Sequence, residues 1–144
     1  LNDTPLHFAA ENGHYEIVKY VLSFPRIQTG VKNKISIFFF NSGVFYSDKE
    51  TPLHLAAENG HVDVIDLLAH FPKVDINTKD QFEEKIFNKG FIFLNIYKTP
   101  LHNASLFGHI EAVKYILGLQ DVEMNFRSKI LNSVLVNEIF YFYL

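Results

Sequence analysis

Residues 4–22, TPLHFAAENGHYEIVKYVL, decide the fold because the chain carries this stretch three times. TPLHLAAENGHVDVIDLLA follows at residues 51–69 and TPLHNASLFGHIEAVKYIL at residues 99–117, and the three blocks align without a gap. Self-similarity of this kind is the sequence signature of repeat architectures, in which each unit buries its apolar face against its neighbours. The sequence therefore predicts a stack of similar units.

Each block predicts a pair of short helices. In the first block, Thr4 can cap a helix N-terminus, and Pro5 suits the first helical turn, where its missing N–H is not needed. Gly13 can end this helix in the left-handed conformation that glycine tolerates. A second helix follows, with an apolar stripe at residues 17, 18, 21 and 22, and Pro25 stops it.

The motif T-P-L-H-x-A-A-x-x-G-H followed by an apolar helix resembles the ankyrin repeat. The resemblance covers residues 1–28, 48–80 and 98–125. It implies antiparallel helix pairs stacked side by side and joined by projecting β-hairpin fingers, and VDIN at residues 74–77 and VEMN at residues 122–125 match the stretch that leads into a finger. The expected fold class is an all-α repeat solenoid whose fingers are enlarged or disrupted by inserts.

The spacing between the blocks departs from that family. An ankyrin repeat has about 33 residues, whereas Pro5 and Pro52 are 47 residues apart and Pro52 and Pro100 are 48 apart. The additional residues lie between the second helix of one block and the next TPLH, where a finger is expected. We therefore assign residues 29–47 and 81–97 as atypical inserts and residues 126–144 as an atypical apolar tail.

These three segments differ in composition from the blocks. They hold 15 of the 22 aromatic residues and none of the alanines, prolines or histidines, so that they are rich in residues with codons made almost entirely of A and T. We favour the hypothesis that they are translated non-coding sequence. Two alternatives stay open: the runs ISIFFF and VFYS around a Gly-containing turn read as an extended hairpin, and aromatic tips could contact a membrane or a partner. The tail reads either as an apolar helix on the last repeat or as the same non-coding sequence.

Composition excludes several classes of function. The net charge of −3 gives no basic field for nucleic acid, and the absence of cysteine excludes disulfides and thiolate metal sites. The chain shows no basic-then-apolar leader, and its apolar runs are shorter than the roughly 20 residues that a membrane-spanning helix needs. We expect a soluble cytoplasmic protein. The start without Met and the lack of polar caps on the outer repeats suggest a piece of a longer array.

The histidines are explained by the repeat. His7 and His14 are seven residues apart, as are the corresponding pairs in the other blocks, but Gly13 breaks the helix between them, and zinc sites use closer spacings. The resemblance implies that His7, His54 and His102 form hydrogen bonds near the helix start and that His14, His61 and His109 open the second helix. No nucleophile motif or Gly-rich phosphate loop is present. We therefore predict no enzyme activity, no metal, no cofactor and no small-molecule substrate.

The function that these features favour is binding of another protein through the concave surface of fingers and first helices. Aligned positions that the repeat leaves free to vary are the predicted contacts: Asp3, Glu11, Asn12, Glu50, Glu58, Asn59, Lys98, Asn103, Leu106 and Phe107. In the third block Leu106–Phe107 replaces Glu-Asn, which would make an aromatic anchor if exposed, although the pair could instead pack under the preceding insert. The alternative function is a regulatory or targeting segment of a larger protein, such as an ion channel, toxin, kinase or secreted effector, because all of these carry ankyrin arrays.

Overall fold

Six helices form three antiparallel pairs in the computed structural model, which describes residues 2–39, 44–86, 92–127 and 131–132. The first helices of the three pairs are α1 (Pro5–Glu11), α3 (Pro52–Glu58) and α5 (Pro100–Leu106), and the second helices are α2 (Tyr15–Leu22), α4 (Val62–Ala69) and α6 (Ile110–Leu117). Helix α3 packs between α1 and α5, and α4 packs between α2 and α6. None of the described helices is long and apolar enough to cross a membrane.

The residues predicted to begin and end the first helices do so in all three repeats. Thr4, Thr51 and Thr99 are extended N-cap residues, and each is followed by proline in the first turn. Gly13, Gly60 and Gly108 follow the first helices with φ values of 67°, 70° and 76°, in the left-handed region. Small residues then allow the helices to approach closely, since the alanines at positions 9, 10, 56, 57 and 104 are buried.

The core lies between the two rows of helices. Leu6 and Leu53 from the first helices, with Val18, Ile65 and Ile116 from the second helices, are buried there. A single helix pair could not bury this apolar surface alone, so the folded state depends on the contacts between stacked repeats. The prediction of an all-α repeat solenoid is confirmed for the helical part of the chain.

The segments between the repeats, and a short segment after the third repeat, form antiparallel strands. They are β1 (Ile35–Phe39), β2 (Val44–Asp48), β3 (Phe82–Ile86), β4 (Ile92–Ile96) and β5 (Leu131–Asn132), paired in this order in one sheet. At the base of each hairpin, next to the helices, Ile35 pairs with Asp48 and Phe82 pairs with Ile96. The fingers are therefore enlarged hairpins that also pair with one another.

The hairpin interpretation of the first insert matches the strands, while its turn at residues 40–43 lies outside the described residues. The strands begin at Ile35, six residues after the predicted start of that insert at residue 29. The non-coding hypothesis concerns the gene and stays a prediction, as do the insert boundaries. The tail beyond Asn132 also lies outside the described residues, and with it the alternative of an apolar helix on the last repeat.

Candidate protein-binding surface

The C-terminal ends of α1, α3 and α5 lie side by side and are joined by histidines. The Nε2 atom of His61 lies 3.0 Å from the carbonyl oxygen of Glu11, and that of His109 lies 2.7 Å from the carbonyl oxygen of Glu58. Each ring comes from the start of the next second helix, so the contact crosses from one repeat to the next. The predicted role of His61 and His109 at the start of the second helix is confirmed.

Glycine is needed beneath these rings. A Cβ atom at Gly13 would lie 2.6 Å from Nδ1 of His61, and a Cβ at Gly60 would lie 2.6 Å from Nδ1 of His109. Gly13 and Gly60 thus have two functions, because each ends a first helix at positive φ and leaves room for the imidazole of the next repeat. The contact between repeats at the helix ends therefore needs glycine at positions 13 and 60.

The helix ends present an exposed row of side chains, which we call the helix-end row: Glu11, Asn12, Glu58, Asn59, Leu106 and Phe107. Glu11, Asn12 and Asn59 are exposed and Glu58 is half-buried. The side-chain amides of Asn12 and Asn59 donate to the carbonyl oxygens four residues earlier, at 2.9 Å in both cases. These asparagines therefore satisfy the helix C-terminus as well as facing solvent.

The third repeat changes the character of this row. Leu106 is 68% exposed and Phe107 is 51% exposed, so the alternative in which the pair packs under the preceding insert is wrong. The exposed Leu and Phe side chains form an apolar surface patch, and such patches commonly mark sites of interaction with another molecule. The exposure on which the anchor prediction depends is confirmed, while the contact with a partner stays a prediction.

The base of each hairpin is tied to the helices by a second set of histidines. Asn33 pairs with Glu50 through Asn33 N–H to Glu50 O (2.8 Å) and Glu50 N–H to Asn33 Oδ1 (2.8 Å). The Nε2 atom of His7 donates to the same Glu50 carbonyl at 3.2 Å, since Nδ1 of His7 accepts from the backbone N–H of Thr4. This assignment places the ring proton on Nε2. The predicted hydrogen-bonding role of His7 is confirmed.

The second hairpin repeats this arrangement with a charged residue. Asp80 replaces Asn33: its N–H donates to the carbonyl of Lys98 at 2.9 Å, and its Oδ1 accepts from the N–H of Lys98 at 2.5 Å. Nε2 of His54 lies 3.1 Å from the same carbonyl. Burial lowers the pKa of His54 to about 4, so that the ring is neutral at physiological pH.

A buried polar cluster joins the two hairpin bases to α5. It consists of Asp48, Glu50, Asp80, Lys98 and Asn103. Nζ of Lys98 lies 3.2 Å from Oδ2 of Asp80, and the Asn103 amide donates to Oε1 of Glu50 at 2.8 Å. Oxygen atoms of the three carboxyl groups lie within 4.8 Å of one another.

The electrostatics of the cluster follow from burial and from the excess of carboxyl groups. Burial, with Asp48 and Glu58 nearby, raises the pKa of Glu50 to about 8 although Lys98 and Asn103 oppose the shift. Burial also raises the pKa of Asp48 and Asp80. Burial alone would lower the pKa of Lys98, but the surrounding carboxyl groups together outweigh this effect and raise it. Glu50 thus carries a proton at neutral pH, which reduces the repulsion between the carboxyl groups.

Two of the predicted contact residues need correction. Glu50 and Asn103 are buried and bonded to each other, so that neither is accessible to a partner in this structure. Asp3 and Lys98 are half-buried, Asp3 accepting from the side chain of Asn33 at 2.8 Å and Lys98 pairing with Asp80. These four residues hold the fingers in place, whereas the six of the helix-end row present accessible surface.

Three residues at the hairpin bases, Asn33, Asp48 and Asp80, were not predicted as part of the site. A signal existed for two of them, because Lys32-Asn33 and Lys79-Asp80 occupy equivalent positions when the first two blocks are extended. Asn33 fell outside that comparison because the first insert was expected to begin at residue 29. Asp48 has no counterpart before the third TPLH, where Ile96 stands, and no local pattern marks it.

The chain is a solenoid repeat protein, because it consists of stacked helix pairs joined by hairpin fingers. Its helix-end row gives it an extended surface that runs across the repeats. Residues 1–80 match a family model described as ankyrin repeats (3 copies), and residues 53–117 match one described as ankyrin repeats (many copies). The chain belongs to the ankyrin repeat family. Ankyrin repeats generally mediate protein–protein interaction, and proteins built from them are typically non-catalytic interaction modules. No curated protein matches the sequence.

Proposed function

We propose that this chain is a protein-binding module and that its partner contacts the helix-end row. The observation that carries the proposal is the exposure of Leu106 and Phe107 at positions where the other two repeats have Glu and Asn. Exposed aromatic and aliphatic side chains of this kind are the anchors around which protein interfaces form. The scaffold beneath them is held by the histidine contacts between repeats, so the row is preorganised for binding.

Charge along the row favours one kind of partner. Glu58 places a carboxylate in the repeat next to the apolar pair and Glu11 places one in the first repeat, and opposite charges across an interface favour association and fix register. We infer a partner segment with Lys or Arg side chains followed by an apolar anchor that contacts Phe107. A regulatory or targeting segment of a larger protein would use the same surface, so this surface serves both functions considered for the chain.

The test begins with a displayed peptide library selected on the wild-type chain. The affinities of selected peptides are then measured for Phe107→Asp and for the control Phe24→Asp, a change of the same kind at a side chain of matching exposure, 50%, just after α2. We expect Phe107→Asp to weaken binding at least about tenfold, because an anchor side chain carries more than about 1.4 kcal/mol. The control should bind as wild type does. Peptides that bind both variants equally would show that the site lies elsewhere.

A further inference from the structure

The first helices of the first two repeats end in the dipeptide Asn-Gly. Asn12–Gly13 and Asn59–Gly60 are the two Asn-Gly pairs of the sequence, and the third repeat has Phe107 before its glycine. Both asparagines are exposed to solvent. A glycine nitrogen reaches the preceding side chain more easily than any other, because glycine has no Cβ to hinder the approach. The chemistry of these two helix ends therefore differs from that of the third.

The reaction that this dipeptide permits is loss of the side-chain amide. The backbone nitrogen of the glycine attacks Cγ of the asparagine and forms a cyclic imide, while the amide NH2 and the glycine N–H proton leave together as ammonia. Water then adds to either ring carbonyl and breaks its bond to nitrogen, which yields aspartate or isoaspartate. Water is the co-reactant, and asparagine is one of the thermolabile residues of proteins.

In the folded chain the reacting groups are engaged elsewhere. The side-chain amides of Asn12 and Asn59 donate to carbonyl oxygens at 2.9 Å, four residues earlier. The N–H groups of Gly13 and Gly60 donate to carbonyl oxygens at 3.4 Å and 3.3 Å, and hydrogen bonds of this length are weak. Attack requires both kinds of bond to open, because the glycine nitrogen and Cγ must meet. The reaction therefore depends on how often the helix end opens.

The histidine of the next repeat holds each helix end closed. Nε2 of His61 lies 3.0 Å from the carbonyl oxygen of Glu11, in the peptide unit just before Asn12. Nδ1 of the same ring lies 2.6 Å from the position of a Cβ built on Gly13. Formation of the cyclic imide reorients the peptide between Asn12 and Gly13, and the ring packed against the glycine opposes that movement. The ring of His109 covers the second pair in the same way.

We propose that Asn12 and Asn59 are sites of spontaneous deamidation and that the histidine of the next repeat, His61 or His109, controls the rate at each site. The reactive state is a local opening of one helix end and does not require unfolding of the stack. The rate is then that of an unhindered Asn-Gly pair multiplied by the fraction of time for which the end is open. Because each histidine covers a different pair, the two sites are controlled separately.

Each reaction changes the helix-end row. Aspartate adds a negative charge beside Glu11 or Glu58, and isoaspartate also lengthens the main chain, since the backbone then runs through Cγ. The third repeat keeps its apolar pair, because Phe107 has no amide to lose. The added charge therefore falls on the acidic part of the row. An effect on a basic partner rests on the proposed function, whereas the modification itself does not.

The experiment is peptide mass spectrometry of the full chain after incubation in mildly alkaline buffer at constant temperature. Wild type, His61→Ala and His109→Ala are incubated folded, and wild type is also incubated unfolded in guanidinium chloride. Replacement of NH2 by OH gives the mass gain that is followed at each asparagine. Asn125, which is exposed but precedes Phe126, is the internal control. Circular dichroism checks helix content, and His61→Gln, which keeps a side-chain N–H, replaces the alanine variant where that variant loses helix.

Folded wild type should convert Asn12 and Asn59 more slowly than the unfolded chain does, and Asn125 more slowly still. His61→Ala should accelerate the reaction at Asn12 about threefold or more and leave Asn59 unchanged, because the helix end loses a hydrogen bond and its cover. His109→Ala should accelerate the reaction at Asn59 alone. Equal acceleration at both sites, no acceleration at either, or no conversion in any folded chain overturns the proposal. So does conversion of Asn125 as fast as the Asn-Gly pairs.

Discussion

The buried carboxyl group of Glu50 should make the stability of this protein fall as the pH rises through neutrality. Glu50 has a pKa of about 8 in the folded chain, against 4.5 for the unfolded side chain, because it is buried beside Asp48 and Glu58. Between these values the folded state holds one proton more than the unfolded state. The free energy of unfolding therefore decreases with pH, by about 1.4 kcal/mol per pH unit for one proton.

Buried histidine acts in the opposite direction on the acid side. The pKa of His54 is lowered from 6.5 to about 4, so the unfolded state binds the additional proton in that interval and stability falls as the pH drops. The lowered pKa values of His54 and His7 oppose the effect of Glu50 until the unfolded histidines have lost their protons, so the loss from Glu50 is left unopposed only above about pH 7.5. We expect the free energy of unfolding to decrease by roughly 0.7 kcal/mol from pH 6.5 to 7.5 and to go on decreasing to pH 8.

Glu50→Gln is the perturbation that isolates this effect. The glutamine side chain is neutral at every pH, has the shape of the protonated acid and keeps an oxygen that can accept from Asn103. The variant should lose the decline above pH 6.5 and unfold at higher urea than wild type at pH 8, with a gain of about 2 kcal/mol or more. Glu11→Gln, a change at an exposed carboxylate, should leave the wild-type profile unchanged.

Urea unfolding followed by helical circular dichroism at closely spaced pH values measures these quantities. A wild-type free energy of unfolding that is flat or rising from pH 6.5 to 8 would refute the reasoning. So would a Glu50→Gln variant that keeps the wild-type slope, because the titrating group would then be another residue.

Two further predictions concern the repeat contact and the fingers. Gly60→Ala should destabilise the chain by about 2–4 kcal/mol, since its Cβ meets the imidazole of the next repeat. Gly108→Ala, with the same positive φ and open space, should cost only about 1 kcal/mol; equal losses in thermal unfolding would show that the ring contact is unimportant. Removal of residues 35–48 shortens the first spacing from 47 to 33 residues and leaves a two-residue turn above the Asn33–Glu50 pair. The shortened chain should keep its helical signal and cooperative unfolding, and loss of either would show that the first hairpin is part of the folding unit.

The helical stack could be predicted from the sequence because its determinants are local. Thr at the cap, Pro in the first turn and Gly at positive φ act within a few residues of each other and recur in three blocks. The roles of the histidines were implied by the resemblance to the ankyrin repeat. The departure of Leu106 and Phe107 from that pattern marked them as a candidate anchor, but the pattern left open whether they are exposed.

The buried cluster could not be predicted, because it joins residues far apart along the chain. Asn103 bonds Glu50 across 53 positions, and Asp80 reaches Lys98 across a hairpin of atypical sequence. Glu50 and Asn103 were expected on the surface because their positions vary between repeats. These positions vary although they are buried: the residue equivalent to Asn103 is Leu55 in the second repeat, and it is also buried. The residue type at such a position depends on which side chains pack against each repeat.

The most direct test of the central claim maps where a partner binds. A peptide selected on the wild-type chain is titrated into the isotopically labelled protein, and changes in amide chemical shift are recorded along the sequence. We expect the largest changes to fall on residues 11–12, 58–59 and 106–107, at the ends of α1, α3 and α5. Changes concentrated along α2, α4 and α6 would contradict it, because the partner would then bind the opposite side of the stack.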